Sequence, residues 1–281
     1  MKLFVTGGTG FIGSHFLQQA MAAGHDVRAL RRPGSRPRIP LTVEPEWLEV
    51  PFDRLEPRHF DDIEAVVHFA AHSANVPYDT LENCLHWNVT VSLRMAERAF
   101  QAGVKFFVFA GSCFEYGRSG ACYEFIPVTA PLEPTQSYPA SKAAASVAAI
   151  GFAAEKCVRL TILRPFQVFG EGEQATRLWP SLRRAALAGE DFPMTLGEQI
   201  RDFILVEQVA AAFLQTLTRT DLGPGEPIIE NIGTGNPQTL RAFAEHWWRV
   251  WEAKGRLLPG TLPYRENEVM RYVPVIYEPT T

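Results

Sequence analysis

The chain begins with "KLFVTGGTGFIG", an apolar strand that runs through three glycines directly into a helix. Gly7, Gly10 and Gly13 permit a tight turn and let a pyrophosphate approach the backbone amides. The helix that follows turns the positive end of its dipole toward that anion. Phe11 and Ile12, between the last two glycines, join them as cofactor-contacting positions. A glycine triplet carries weight only in this context, after a strand and at the opening of a helix.

The following segments repeat the same alternation. "DVRAL", "AVVHFAA", "KFFVFAGS" and "RLTILRP" are short, continuously apolar strands. Between them lie "FIGSHFLQQAMAAG", ended by Gly24, "NVTVSLRMAERAFQAG", ended by Gly103, and a helix around Tyr138. Continuous apolar strands separated by helices predict a parallel sheet covered on both faces, a doubly wound α/β fold of the Rossmann kind. After "RPFQVFGEGE" the rhythm breaks, and only "PIIENIG" reads as a further buried strand. The expected division is a dinucleotide-binding domain over 1–170 and 203–232 and a smaller substrate region over 171–202 and 233–281. That region should pack over the carboxyl ends of the strands, where open α/β sheets bind ligands.

Composition excludes several classes. A net charge of −4 gives no basic face for nucleic acid. No apolar run is long enough to span a bilayer, and the amino terminus enters the first strand with no room for a signal peptide. Cys84, Cys113, Cys122 and Cys157 lack zinc-like spacing, so reduced thiols in a cytoplasmic protein are expected. His68 and His72 have a metal-like spacing, but on a strand leading into a loop, and no metal site is read there.

The end of the second strand selects the cofactor. An acid there would accept hydrogen bonds from the ribose 2′-hydroxyl of NAD(H). "DVRAL" instead ends in Arg31 and Arg32, and Asp26 lies at the wrong end. Guanidinium groups suit a 2′-phosphate, so NADP(H) is expected in preference to NAD(H).

Tyr138 and Lys142 are four residues apart on one helical face. A nearby ammonium and an oxidised nicotinamide favour the phenolate, so the expectation is a lowered phenol pKa and a proton shuttle for a carbonyl or alcohol. Upstream, "KFFVFAGS" ends at Ser112 on the ligand-binding edge, where a hydroxyl could hold the substrate oxygen.

With "TGGTGFIG", "VVHFAA", "GSCFEYG", "YPASK", "LRPFQVFGEG", "IRDFILVEQVA" and "NIGTGNPQTL" in order, and "PYRENEVMRY" after them, nearly the whole chain resembles an extended short-chain dehydrogenase/reductase of the nucleotide-sugar epimerase/dehydratase group. The resemblance implies a catalytic triad of Ser112, Tyr138 and Lys142, with Asp53 at the adenine amino group. It implies further cofactor contacts from Ala70, Ala71, Asn88, Pro165 and Phe166, and substrate contacts from Cys113 and from Gln167, which stands where the group usually has asparagine. Arg201 and Arg265 would grip a diphosphate. Arg177 and Trp179 are added as substrate candidates, the indole as a stacking platform for a base, while Trp247, Trp248 and Trp251 are expected to cover the core. The Asp-Glu pair of the group's 4,6-dehydratases is replaced by Cys113 and Phe114, which argues against dehydration. The "EQVA" at 207–210 replaces a more usual acidic "xDVA", and the group's last helix is missing.

The alanine run of Ala143 to Ala149 permits close helix approach, within the chain or between the subunits of the homodimer that the resemblance implies. The leading expectation is an NADP(H)-dependent reductase of a nucleotide-linked 4-keto sugar. An NAD-dependent 4-epimerase is the alternative, and a non-catalytic cofactor-binding regulator a further one that the presence of all three catalytic residues disfavours.

Overall fold

The structure is a computed structural model, and it describes residues 1–265 and 268–276. Part of the "PYRENEVMRY" landmark, at 266–267, and the end of the expected substrate region, at 277–281, lie outside them.

In chain order the main elements are β1 (Lys2–Thr6), α1 (Phe11–Ala22), β2 (Asp26–Leu30), β3 (Glu46–Leu48), β4 (Ala65–His68), α2 (Leu81–Leu85), α3 (Ser92–Gln101), β5 (Phe106–Ala110), α4 (Ser137–Lys156), β6 (Arg159–Pro165) and β7 (Gln167–Phe169). They continue with α5 (Leu178–Ala188), β8 (Phe192–Met194), β9 (Ile200–Leu205), α6 (Val206–Thr216), β10 (Ile228–Ile232), β11 (Pro237–Thr239), α7 (Leu240–Val250), β12 (Leu257–Pro259) and β13 (Arg271–Tyr272).

Seven strands form one sheet in the order β10-β6-β5-β4-β1-β2-β3, with every pairing parallel. The continuous apolar runs have a simple cause, since successive side chains point to opposite faces and both faces are buried. Leu3 and Val5 of β1 enter the layer under α1 and α6, while Phe4 between them enters the layer under α3 and α4. Strand order reverses on either side of β1, so the cleft opens at the carboxyl ends of β1 and β4.

Two elements depart from the sequence expectation. The helix expected from "NVTVSLRMAERAFQAG" starts with a wide π-type turn over His86–Val91 before α3 begins. Such turns cluster at functional sites, and this one holds Asn88. The strand β3 has no sequence signal, because three residues are too few for any periodicity.

The region after 170, expected to be mixed loop and helix with an irregular tail, contains small sheets. β11, β9 and β13 form one, with β7 beside β9, and β8 pairs with β12. The expected boundary at 202/203 therefore falls inside β9, whose partner β7 lies just before the boundary at 170/171. Among the described residues no helix is long and apolar enough to cross a membrane.

Phe213 of α6 is fully buried, with its ring 4.6 Å from that of Phe69. Phe213→Ala should cost about 3–5 kcal/mol of unfolding free energy, measured by denaturant titration.

Candidate active site

The glycine turn closes with the Gly10 amide donating to Gly7 O at 2.8 Å. Gly7 has φ +72°, and a Cβ there would come within 2.5 Å of the Ala70 nitrogen. A Cβ on Gly13 would strike the Gly7 carbonyl. The missing side chains leave a backbone cradle at the start of α1, with Phe11 and Ile12 half-buried behind it. A dinucleotide pyrophosphate fits such a cradle. Gly7, Gly10 and the amides opening α1 are the groups that would hold it.

The loop after β4 forms the other wall. Thr6 Oγ1 accepts from the Ala70 amide at 3.3 Å and lies 2.6 Å from His68 Nδ1. Nε2 of His68 lies 3.1 Å from Ser92 Oγ. Burial, and after it the positive charge of Lys142, lower the His68 pKa to about 3, so this imidazole is neutral. Ala71 is exposed beside Ala70. Asn88 is buried with its amide engaged: Oδ1 accepts from the His72 amide at 2.6 Å, and Nδ2 donates to Ser141 Oγ at 2.8 Å and His72 O at 3.1 Å. It braces the loop against α4. Asp53 sits on a one-turn 3-10 helix, 4.0 Å from Arg54.

Arg31, which follows β2, is ion-paired in the structure. Its Nε and Nη2 both meet Glu49 Oε1 at 2.7 Å, and its guanidinium lies 4.8 Å from the centre of the Trp47 ring. A carboxylate from the end of β3 thus neutralises the guanidinium expected to meet a 2′-phosphate. Only the pairing of β3 with β2 brings Glu49 there, which is why the sequence does not reveal it. Arg32 is exposed.

Ser112, Tyr138 and Lys142 do meet. Ser112 follows β5 and caps a 3-10 turn, its Oγ accepting from the Phe114 amide at 3.2 Å. Tyr138 lies in the first turn of α4, buried, with the Ser112 hydroxyl facing its phenol. Lys142 donates from Nζ to Ala110 O at 2.6 Å, at the carboxyl end of β5. The expected lowering of the phenol pKa includes the charge of an oxidised nicotinamide; the protein's own groups act in the other direction. Burial pushes the Tyr138 phenol well above its ordinary value, Tyr78, Glu115 and Cys113 add to the rise, and Ser112 opposes it. Burial lowers Lys142, and Glu115 works the other way. Desolvation of the phenolate is the largest of these effects.

The candidate substrate residues surround this centre. Cys113 is buried, its thiol pushed up to about 12 by burial, and Arg201 and Arg177 both act on it. Arg177 and Arg265 also act on Tyr78, whose ring centre lies 5.5 Å from that of Tyr138. Three arginines from separate segments thereby converge on one side of the site. Arg201 is held by Glu268 at 2.6 Å, and Arg177 by Glu173 at 3.3 Å. Pro165 and Phe166 end β6 and are buried, with Phe166 facing Tyr116 and Tyr272, and Gln167 follows, half-buried.

Trp179 is half-buried and lines a cavity of about 290 Å³ with Glu173 and Arg183. Its ring packs edge-on against Trp247 at 5.7 Å and Trp251 at 5.6 Å, and beside Phe169. It belongs with the tryptophans expected to cover the core.

Sequence reasoning misses Tyr78, Glu49 and Glu115. Glu115 alone has a signal, because Ser112 and Glu115 form the S-x-x-E pattern of a capping box.

Comparisons with known proteins agree with the fold. The model of the "NAD dependent epimerase/dehydratase family" matches residues 3–233. The CDP-abequose synthase of Salmonella muenchen is 27% identical over 272 residues, covering 96% of this chain and 87% of that protein. The UDP-glucose 4-epimerase of Streptomyces lividans is 30% identical over 274 residues, covering 89% and 80%. MoeE5 in complex with UDP-glucuronic acid and NAD superposes with a TM-score of 0.83 at 27% identity, covering 98% of this chain and 90% of its own. The NAD-dependent NDP-hexosamine 5,6-dehydratase TunA gives 0.83 at 28% identity, covering 98% and 89%.

The neutral His68 carries a stability prediction. Its folded pKa lies below the ordinary 6.5, so the unfolded chain binds the extra proton. Stability should be complete above about pH 6.5 and fall as the pH drops from there toward 3. Urea unfolding across pH 4 to 7 should show this slope, and His68→Gln should flatten it.

Proposed function

This chain belongs to the NAD dependent epimerase/dehydratase family, and from that premise we propose that it reduces the 4-keto group of a nucleotide-linked sugar. Tyr138 is the proton donor in this reading, and NAD(H) is the cofactor.

One observation carries it. Ser112, Tyr138 and Lys142 meet at the carboxyl end of β5, and burial favours the protonated phenol that a carbonyl under reduction requires. Epimerisation would instead begin with a phenolate removing the 4-hydroxyl proton. The bound nicotinamide would supply hydride to C4. Tyr138 would give its proton to O4 as the negative charge develops there, and Ser112 would hold that oxygen. Lys142, anchored on Ala110 O, would lie beneath the phenol. Arg177, Arg201 and Arg265 would bind the diphosphate as charge-assisted donors. The 27% identity to an enzyme named for a CDP-linked sugar supports a nucleotide-linked substrate.

The pairing of Arg31 with Glu49 supports NAD(H) over the NADP(H) expected from sequence, because a 2′-phosphate would meet a carboxylate. Relatives solved with NAD agree. A homodimer through α3 and α4 completes the reading, supported by Val147 on α4, which is 60% exposed beside the alanines. The 4-epimerase is the second reading, favoured by the 30% identity to a UDP-glucose 4-epimerase.

The test is NADH oxidation by purified protein supplied with 4-keto sugars linked to CDP or UDP. Retention of NAD through gel filtration, with interconversion of 4-epimers and no NADH consumption, would overturn reduction in favour of epimerisation. Tyr138→Phe should lower kcat at least ~100-fold with the Kd for NADH nearly unchanged. NADPH should bind roughly tenfold more weakly than NADH by fluorescence titration, and Glu49→Gln should narrow that gap by removing the repelling carboxylate.

A further inference from the structure

Tyr272 closes β13, late in the chain, yet its hydroxyl reaches the turn that Ser112 caps. It donates to Cys113 O at 2.9 Å, the carbonyl of the residue directly after Ser112. The side chain is 6% exposed, and its ring centre lies 5.9 Å from that of Phe166 at the end of β6. Cys113, Tyr116, Ile126, Phe166 and Tyr272 belong to one small apolar cluster. Gly120 leaves room for the ring, since a Cβ there would strike Tyr272 Cε2.

Tyr272 is held on both flanks. On one, β13 runs parallel to β9 with Tyr272 in register with Arg201, whose guanidinium donates to Glu268 at 2.6 Å. On the other, the Ile126 amide donates to Val273 O at 2.7 Å and the Val275 amide to Ile126 O at 2.9 Å. One short segment thus joins the loop after Ser112 to the strand that carries Arg201.

The turn itself is a single 3-10 turn, Cys113–Tyr116. Such a turn has few hydrogen bonds of its own, and of poor geometry, so its shape depends on outside contacts. Glu115 supplies one anchor, accepting from the Ser112 amide and from Arg164 Nε, both at 2.8 Å. Tyr272 supplies another from a remote strand. Packing asks only for the aromatic ring, which phenylalanine would provide; the hydroxyl is what reaches the turn.

We propose that Tyr272 is a positioning residue of the reaction: its hydroxyl, bonded to Cys113 O, sets the turn so that Ser112 meets the substrate oxygen, while β13 fixes that turn relative to Arg201. This rests on the reading of Ser112 as the holder of the sugar oxygen and of Arg201 as a diphosphate contact. In a nucleotide-linked sugar the span from diphosphate to reacting carbon is set by the sugar ring. A segment that bridges both ends of that span lets the hold on the diphosphate place the oxygen.

The experiment uses the full chain with Tyr272→Phe, Ser112→Ala and the double variant Y272F/S112A. Ser112 holds the sugar oxygen in reduction and in 4-epimerisation alike, so the kcat of either reaction serves. Y272F keeps the ring and loses only the hydrogen bond. It should lower kcat about tenfold, with KM and the Kd values for NADH and CDP unchanged within about twofold. Because Tyr272 acts through Ser112, its loss should cost less than about twofold once Ser112 is alanine. A kcat left in place by Y272F, or an equal loss with and without Ser112, overturns the proposal. A packing role alone would lower the Tm and leave kcat unchanged well below it.

A second readout does not need turnover. The Phe114 amide donates to Ser112 Oγ, the Glu115 amide to Ser112 O and the Gly117 amide to Phe114 O, so their hydrogen exchange reports the turn. Exchange over residues 112–117 should be at least about threefold faster in Y272F than in the parent, with β1, β4 and β5 unchanged. Equal exchange in the turn, or a rise spread over the whole sheet, overturns the proposal. If the parent turns over no sugar and the turn alone loosens, the hold of Tyr272 on the turn stands and the assignment of the reaction fails.

Discussion

A parallel sheet buried on both faces has one rim where polar side chains can gather, the carboxyl edge, and here the glycine cradle and the candidate catalytic groups gather at it. The faces are closed by apolar layers under α1 and α6 and under α3 and α4. At the edge, the glycine turn follows β1, the Ala70 loop follows β4, Ser112 follows β5, and Pro165 and Phe166 end β6. Because strand order reverses around β1, the glycine turn and the Ala70 loop are the two walls of a crevice. The helix α4 crosses this edge with its first turn, which delivers Tyr138 and Lys142 together.

Dryness then governs the chemistry. Tyr138, Lys142 and His68 are all buried, and in each the uncharged form is favoured by desolvation. A site of this kind amplifies any charge left inside it. Few charges are left there, and the Glu115–Arg164 pair is the central one, with each partner satisfied by further hydrogen bonds. Arginines from three segments act on Tyr78 and Cys113.

Much of this architecture is legible in the amino-acid order. Gly7, Gly10 and Gly13 after an apolar strand specify a turn that only glycine can make. The four-residue spacing of Tyr138 and Lys142 follows from helix geometry alone. What escapes such reading depends on contacts between distant segments. Arg31 reads as a free cation, yet β3, a strand of three residues, brings Glu49 against it. Trp179 reads as a platform, and the edge contacts it makes with Trp247 and Trp251 come from a segment about seventy residues away that periodicity does not reveal. Tyr138 is expected to be more acidic because a lysine lies one turn away, but the depth of burial sets the sign instead.

By itself, the sequence determined the periodicities and the local geometry: the parallel sheet, the glycine cradle, and the face shared by Tyr138 and Lys142. These are fixed by neighbours within a few residues, where backbone sterics and helix or strand repeat leave few choices. Tertiary structure alone decided the electrostatics. Whether an arginine is free or neutralised, and whether a phenol is acidic or held protonated, depends on which side chains from remote segments surround it and on how completely they exclude water.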